Sequence, residues 1–191
     1  MEEMPVPEMP IHEDQALKKS KISTQTIELI SGEMITSRVP ADSHQQILFR
    51  LGGELYIALK STNAGEGRTA PFDLYLDENN IPQPDLLFVS KDNQTCKKLE
   101  HERGWQGAPD LIAEVLSPSS AKSDRDEKFA LYEQYGVREY WIIDPAHQTI
   151  EVFTLQDAHL TRHGVYGIED KLTSIVLPEW TIEVGTLFQT P

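Results

Sequence analysis

An α/β fold, built on a mixed β-sheet flanked by helices, is what this sequence predicts, and three observations lead to it. Two apolar runs, PDLLFVS at 84–90 and DLIAEVL at 110–116, read as strands covered on both faces, because neither alternates with polar residues. From 110 to 144 the pattern is strand, helix, strand, which favours a parallel pair joined by a right-handed crossover. Residues 69–90 read as two strands around the turn DENNIPQ, an antiparallel hairpin beside that crossover.

Taken in order, residues 1–20 are rich in proline, methionine and glutamate, lack periodicity and are expected to form a disordered acidic tail. TQTIELISGEMIT at 24–36 holds two short β-type runs around Ser31-Gly32, a hairpin signal. Ser43 is a helix N-cap candidate, and Ile47, Leu48, Leu51, Leu55 and Ala58 then recur at helical spacing, giving an amphipathic helix over 44–60. Gly52 and Gly53 weaken that helix by roughly 1 kcal/mol each, a cost that close packing of another backbone would explain. STNAGEGR reads as a turn, TAPFDLYLD at 69–77 as a strand and residues 91–107 as a polar loop. A helix over about 122–135 closes at Gly136, REYWIID at 138–144 is a strand ended by Pro145, and TIEVFTL at 149–155 follows through a short turn. SIVLPEWTIEV adds one or two short strands. A single domain over 21–191 follows, since 191 residues suit one core.

The composition bounds the function. Hydrophobic residues make up 39% and charged residues 25%, ordinary for a soluble globular protein. No apolar run approaches a membrane span, and the N-terminus has neither the basic start nor the apolar stretch of a signal peptide. A lone Cys96 excludes an intramolecular disulfide and has no second cysteine for a metal site, so the expected location is cytoplasmic. The net charge of −14 runs against nucleic-acid binding; residues 1–20 hold five acids against two lysines, so the remainder still carries −11. Lys97, Lys98, Arg103, Lys122 and Arg125 flank the two acid-bearing strands and could form a local basic groove, or simply a solvated loop surface.

The chemistry lies in the exceptions within the apolar elements. Asp110, Ile112, Glu114 and Leu116 share one strand face and Leu111, Ala113 and Val115 the other, so Glu114 interrupts a buried strand. Asp85 opens its strand and shares a face with Leu87 and Val89. Lys128 lies on the helical stripe of Leu131, Tyr132 and Tyr135. A buried carboxylate is expensive unless paired or bound to a metal. Two acids and an amine drawn from three elements suit magnesium-dependent phosphodiester hydrolysis, with Asp85, Glu114 and the Val115 carbonyl as oxygen ligands and Lys128 stabilising charge or positioning water. Each residue also has a structural reading: Asp85 as a turn former after Pro84, Glu114 in a buried ion pair, Lys128 snorkelling from the stripe's edge. Asp124, four residues before Lys128, could pair with it along the helix, and Glu54, seven after Ile47, is a further acid near the apolar stripe. Ser117 and Ser119 read as turn residues, His44 as packing or capping, and the remaining histidines lack metal-ligand spacing.

The runs PFDLYLDENNIPQPDLLFVS, GAPDLIAEVLSPSSAKSDRDEKFALYEQYGVREYWIIDP and TIEVF closely resemble the Uma-two family of restriction endonuclease-like proteins, over residues 24–185. The resemblance implies the PD-(D/E)XK nuclease fold, a Mg2+ or Mn2+ cofactor, and DNA as substrate. By it, Asp85 matches the aspartate of the PD element and Glu114 the acid of the (D/E)XK element. The sequence departs from the superfamily pattern at Leu116, where a lysine belongs; Lys128 on the following helix is the matching amine. A homodimer is expected because superfamily members are often dimeric. Two alternatives stay open: a catalytically degenerate binding or assembly protein that keeps the nuclease fold, and a metal-dependent hydrolase of a small phosphorylated substrate.

Overall fold

The strands Leu111–Val115 (β8) and Glu139–Asp144 (β9) lie parallel, Leu111 opposite Glu139 and Val115 opposite Ile143, as the crossover pattern requires. They form the centre of a six-stranded sheet in a computed structural model that describes residues 26–37, 40–100 and 104–189. The acidic segment 1–20 and Arg103 lie outside the described residues. Outward from β9 the sheet adds Thr149–Gln156 (β10) and His159–Tyr166 (β11). Outward from β8 it adds Leu86–Ser90 (β5) and Gly65–Thr69 (β3), and every pair but β8–β9 is antiparallel. The mixed sheet flanked by helices is thus present.

Strand parity divides the core into two layers. On one face Leu111, Ala113, Val115, Leu86 and Phe88 pack against Leu48, Leu51 and Leu55 of the helix Asp42–Thr62 (α1) and against the stacked pair Trp141–Trp180, whose centroids are 4.8 Å apart. On the other, Leu87, Ile112, Tyr140 and Ile142 pack against Leu131 and Tyr132 of Glu127–Tyr135 (α3). The short helix Ala121–Arg125 (α2) precedes α3, so the helix expected over 122–135 is two, joined at Asp126; Gly136 caps the second at φ 80, as expected. Strands Lys171–Thr173 (β12) and Thr181–Glu183 (β13) pair with each other, and the short helix Val184–Phe188 (α4) closes the C-terminal end.

Three expectations need correction. The partner of β5 is β3, not the 69–77 run: Gly65 lies opposite Ser90 and Thr69 opposite Leu86. Beyond Thr69, which ends β3, only Asp73–Tyr75 (β4) of that run is strand, and it pairs in parallel with Gly104–Gln106 (β7) in a separate sheet completed by Lys97–Lys98 (β6), inside the segment expected to be loop. Glycines hide β3 from a pattern reading, and they are there for fit: a Cβ on Gly67 would stand 2.7 Å from Leu55 Cδ2 of α1. The α1 N-cap is Ala41 rather than Ser43. The expected first hairpin is present as Thr26–Ile30 (β1) and Glu33–Ser37 (β2), turning through Ser31 and Gly32 at φ 53 and 78.

Candidate active site

Pro84 and the start of β5 hold Asp85 at the end of the sheet where β8 delivers Glu114. The two are joined directly, since the Asp85 N–H donates to Glu114 Oε2 at 3.2 Å and Asp85 Oδ2 accepts the Val115 N–H at 2.8 Å. Lys128, in the first turn of α3, donates from Nζ to Glu114 Oε1 at 3.1 Å, and the Tyr132 hydroxyl, one turn on, donates to the same oxygen at 2.8 Å. The three residues singled out in the sequence therefore meet in one crevice of about 530 Å³. Asp124 joins them from α2, its carboxylate 3.5 Å from Lys128 Nζ. Glu54 does not line this crevice; it lies ten residues along α1 from His44, about 15 Å up the helix. Among the described residues of the proposed basic groove, Lys97, Lys98, Lys122 and Arg125 also do not line it, and Arg125 instead bridges Asp144 and Glu151.

Two members were not assigned to the site from the sequence. Glu28 of β1 places Oε1 3.0 Å from Lys128 Nζ and accepts the Gln83 N–H at 2.7 Å. His44, in the first turn of α1, sets Nε2 3.1 Å from Asp85 Oδ2. Four residues before the stripe residue Leu48, its helical phase alone carried the signal. Ser117 and Ser119 hydrogen-bond to each other at the rim at 3.1 Å, in keeping with a turn role.

The charge balance separates this cluster from the other buried acids. Glu139, fully buried, accepts from Trp141 Nε1, the Ser174 hydroxyl and the N–H groups of Ile175 and Val176. Asp110 accepts from the Ser90 N–H, Asn93 and Arg138. Both are satisfied and structural. The crevice instead gathers Glu28, Glu114 and Asp124 around one ammonium with Asp85 beside them on His44, and Asp124 Oδ1 and His44 Nδ1 are buried with no hydrogen-bond partner. Burial pushes the Glu114 carboxyl well above the usual carboxylate range; Lys128 pulls it back, and Asp124, Asp85 and Glu28 raise it further. Asp124 is raised in the same way. Burial alone would depress Lys128, yet Glu114, Glu28 and Asp124 hold its ammonium well above the ordinary lysine value. The same contest leaves His44 raised, because burial is outweighed by Asp85, the Val115 carbonyl and Asp124. Cys96 is outside the site, and burial followed by the Asp110 charge pushes its thiol up to about 12, so it is inert at neutral pH.

A family profile described as "Uma2: Putative restriction endonuclease" matches residues 13–185. The chain belongs to the Uma2 family. Uncharacterized protein sll1609 of Synechocystis sp. is 27% identical to this Uma2 chain over 130 residues, 67% of the chain and 71% of that protein. A crystal structure of a DUF820 protein from Anabaena variabilis, described as a "putative nuclease", superimposes with a TM-score of 0.71 at 20% identity, over 94% of this chain and 98% of that one. The likeness shows that this Uma2 chain shares the fold of that protein. Among the described residues no helix is long and apolar enough to cross a membrane.

Proposed function

We propose that this Uma2 protein is a Mg2+- or Mn2+-dependent phosphodiester hydrolase that cuts DNA, with Asp85 and Glu114 as metal ligands and Lys128 as the catalytic amine. The observation that carries the reading is the surplus of acids over ammonium in one crevice, four acids against Lys128, with Glu28, Glu114, Asp124 and Lys128 all buried. A cluster with that charge favours a cation, and its oxygen donors suit a hard one. A cage of three or more side-chain ligands is absent among the described residues. Magnesium does not require one, because it takes one or two carboxylates and keeps several waters. Asp85 retains 15% side-chain exposure and lines the crevice, beside His44.

When bound, the metal neutralises charge on the phosphate and makes water a stronger nucleophile. The chain's own residues prepare for that. Tyr132 and Lys128 fix one oxygen of Glu114, and His44 with the Val115 N–H fixes one oxygen of Asp85, so both carboxylates are held before anything binds. The raised Lys128 stays an ammonium at neutral pH, so it stabilises developing negative charge rather than accepting a proton.

A second reading has its own observation: among the described residues no lysine or arginine but Lys128 lines the crevice, which suits a small phosphorylated substrate better than a polyanion. The test is nicking of supercoiled plasmid with Mg2+ or Mn2+, comparing the wild type with Asp85→Ala and Lys128→Ala, beside release of phosphate from small phosphodiesters. Cleavage of DNA by the wild type and at least 100-fold loss in both variants is expected. Cleavage that survives in both comes from elsewhere, and activity confined to small diesters selects the second reading. No activity on either, with no metal-induced change in melting temperature, leaves a non-catalytic scaffold.

A further inference from the structure

The outward face of α1 has no explanation in the core it covers. Phe49, Tyr56 and Ile57 are 84%, 64% and 64% exposed, and at 100° per residue they lie on one side with Gly53 between them. Gly53 is exposed, and a Cβ added there would meet nothing within 4 Å. Its neighbour Gly52 is different, because a Cβ there would come 3.2 Å from Thr69 Cγ2 of β3. Tight internal packing therefore accounts for Gly52 and not for Gly53, although a mid-helix glycine weakens a helix. Alongside runs a groove of about 820 Å³ between α1 and β3, the edge strand of the sheet.

The same face carries a base at one end and an acid at the other. Asp42 lies in the first turn, Lys60 in the last, and both share the azimuth of Gly53. We propose that two copies of this chain pair through this face, their α1 helices antiparallel and the two-fold axis passing at Gly53. Antiparallel pairing about that point sets Phe49 against the second copy's Ile57, and Ile57 against the second copy's Phe49. It brings the second copy's Lys60 opposite Gln46, one turn from Asp42, whose Oδ2 Gln46 already holds at 2.6 Å. The face is thus complementary to itself in charge and in apolar contact, as a two-fold interface must be. A parallel pair would oppose Asp42 to Asp42 and Lys60 to Lys60. Gly53, at the closest approach, lets the two helix backbones come within the 8–10 Å typical of packed helices.

Analytical ultracentrifugation of the full chain over about 1–200 µM tests this. A reversible dimer is expected, and Phe49→Asp should raise its dissociation constant at least about tenfold. Gly53→Leu is the sharper variant. The open space and ordinary helical backbone there mean that it should melt higher than the wild type while losing the dimer. Asp42→Lys and Lys60→Asp should each weaken association, and the double variant should restore it, which a loosely sticky apolar patch would not do. A wild type that stays monomeric throughout overturns the proposal, as would happen if another segment of the chain covered this face. So does a dimer untouched by Gly53→Leu, and failure of the charge swap to restore association overturns the antiparallel geometry.

Discussion

Around the Lys128 ammonium stand three carboxylates where one would balance it, and Asp124 is the least compensated, its Oδ1 buried without a hydrogen bond and 3.5 Å from the ammonium. Burial first, then the neighbouring acids, raise its carboxyl above the ordinary value in the folded chain. The folded state therefore keeps a proton that the unfolded chain has released, and stability falls as pH rises from the usual carboxylate range through the raised value. Asp124→Asn removes that cost. It should raise the melting temperature by an increment that is small near pH 4 and grows toward pH 7, read by thermal melts across pH. Lys128→Met does the reverse. It leaves the acids without their cation and should cost about 3–5 kcal/mol at pH 7, shrinking toward pH 5 as the carboxyls take up protons. A Lys128→Met variant as stable as the wild type at pH 7 would mean that the acids are already neutral and the charge surplus is absent. Asp85, Glu114 and Lys128 were legible in the sequence because each interrupts an apolar pattern. Glu28 was not, because it sits in the alternating run TIELI, where an acid reads as the polar member of a strand, and only the fold of the hairpin over Gln83 turns it inward.

At the scale of elements, α1 and β3 are fitted to each other through glycines, and this pairing is what a pattern reading loses. GEGRT lacks the β-branched and aromatic residues that mark strands, so the true partner of β5 looked like a turn. A Cβ at Gly65 would stand 2.1 Å from the Val89 carbonyl oxygen, a backbone atom; at Gly67 it would meet the end of the Leu55 side chain at 2.7 Å. Backbone cannot yield as a leucine terminus can. Gly65→Ala should therefore lower the urea midpoint more than Gly67→Ala, whose cost falls in the range of about 1–3 kcal/mol for an overpacked core. Equal costs would mean that the β3–β5 edge is looser than its register suggests. The hairpin of β10 and β11 was half-legible for a related reason. Its first strand was read correctly, but the turn runs through Asp157 and Ala158 at φ 50 and 64, and alanine is not a residue that announces a left-handed turn. The parallel crossover was read correctly because apolar run, capped helix and apolar run are strong local signals that agree with one another.

For the molecule as a whole, charge sets the terms on which DNA is approached. The chain carries −14, and Lys128, the one lysine lining the crevice among the described residues, is already engaged by carboxylates. Counterion release scales with the number of phosphates that lysines and arginines neutralise, and log K falls by about 0.9 per such contact for each decade of salt. With few free cations near the crevice among the described residues, the salt dependence should be shallow, about two contacts' worth. Raising monovalent salt from about 50 to 200 mM should then weaken duplex binding roughly tenfold, where six to ten phosphate contacts would cost about 10³–10⁵. Divalent ions take the place of a basic groove in this picture, bridging carboxylate to phosphate. Binding measured by fluorescence anisotropy in EDTA should be undetectable, should appear with Mn2+ or Mg2+, and should be lost in Asp85→Ala. A steep salt slope that persists in EDTA would instead point to a basic surface outside the crevice and would separate DNA binding from the acid cluster altogether.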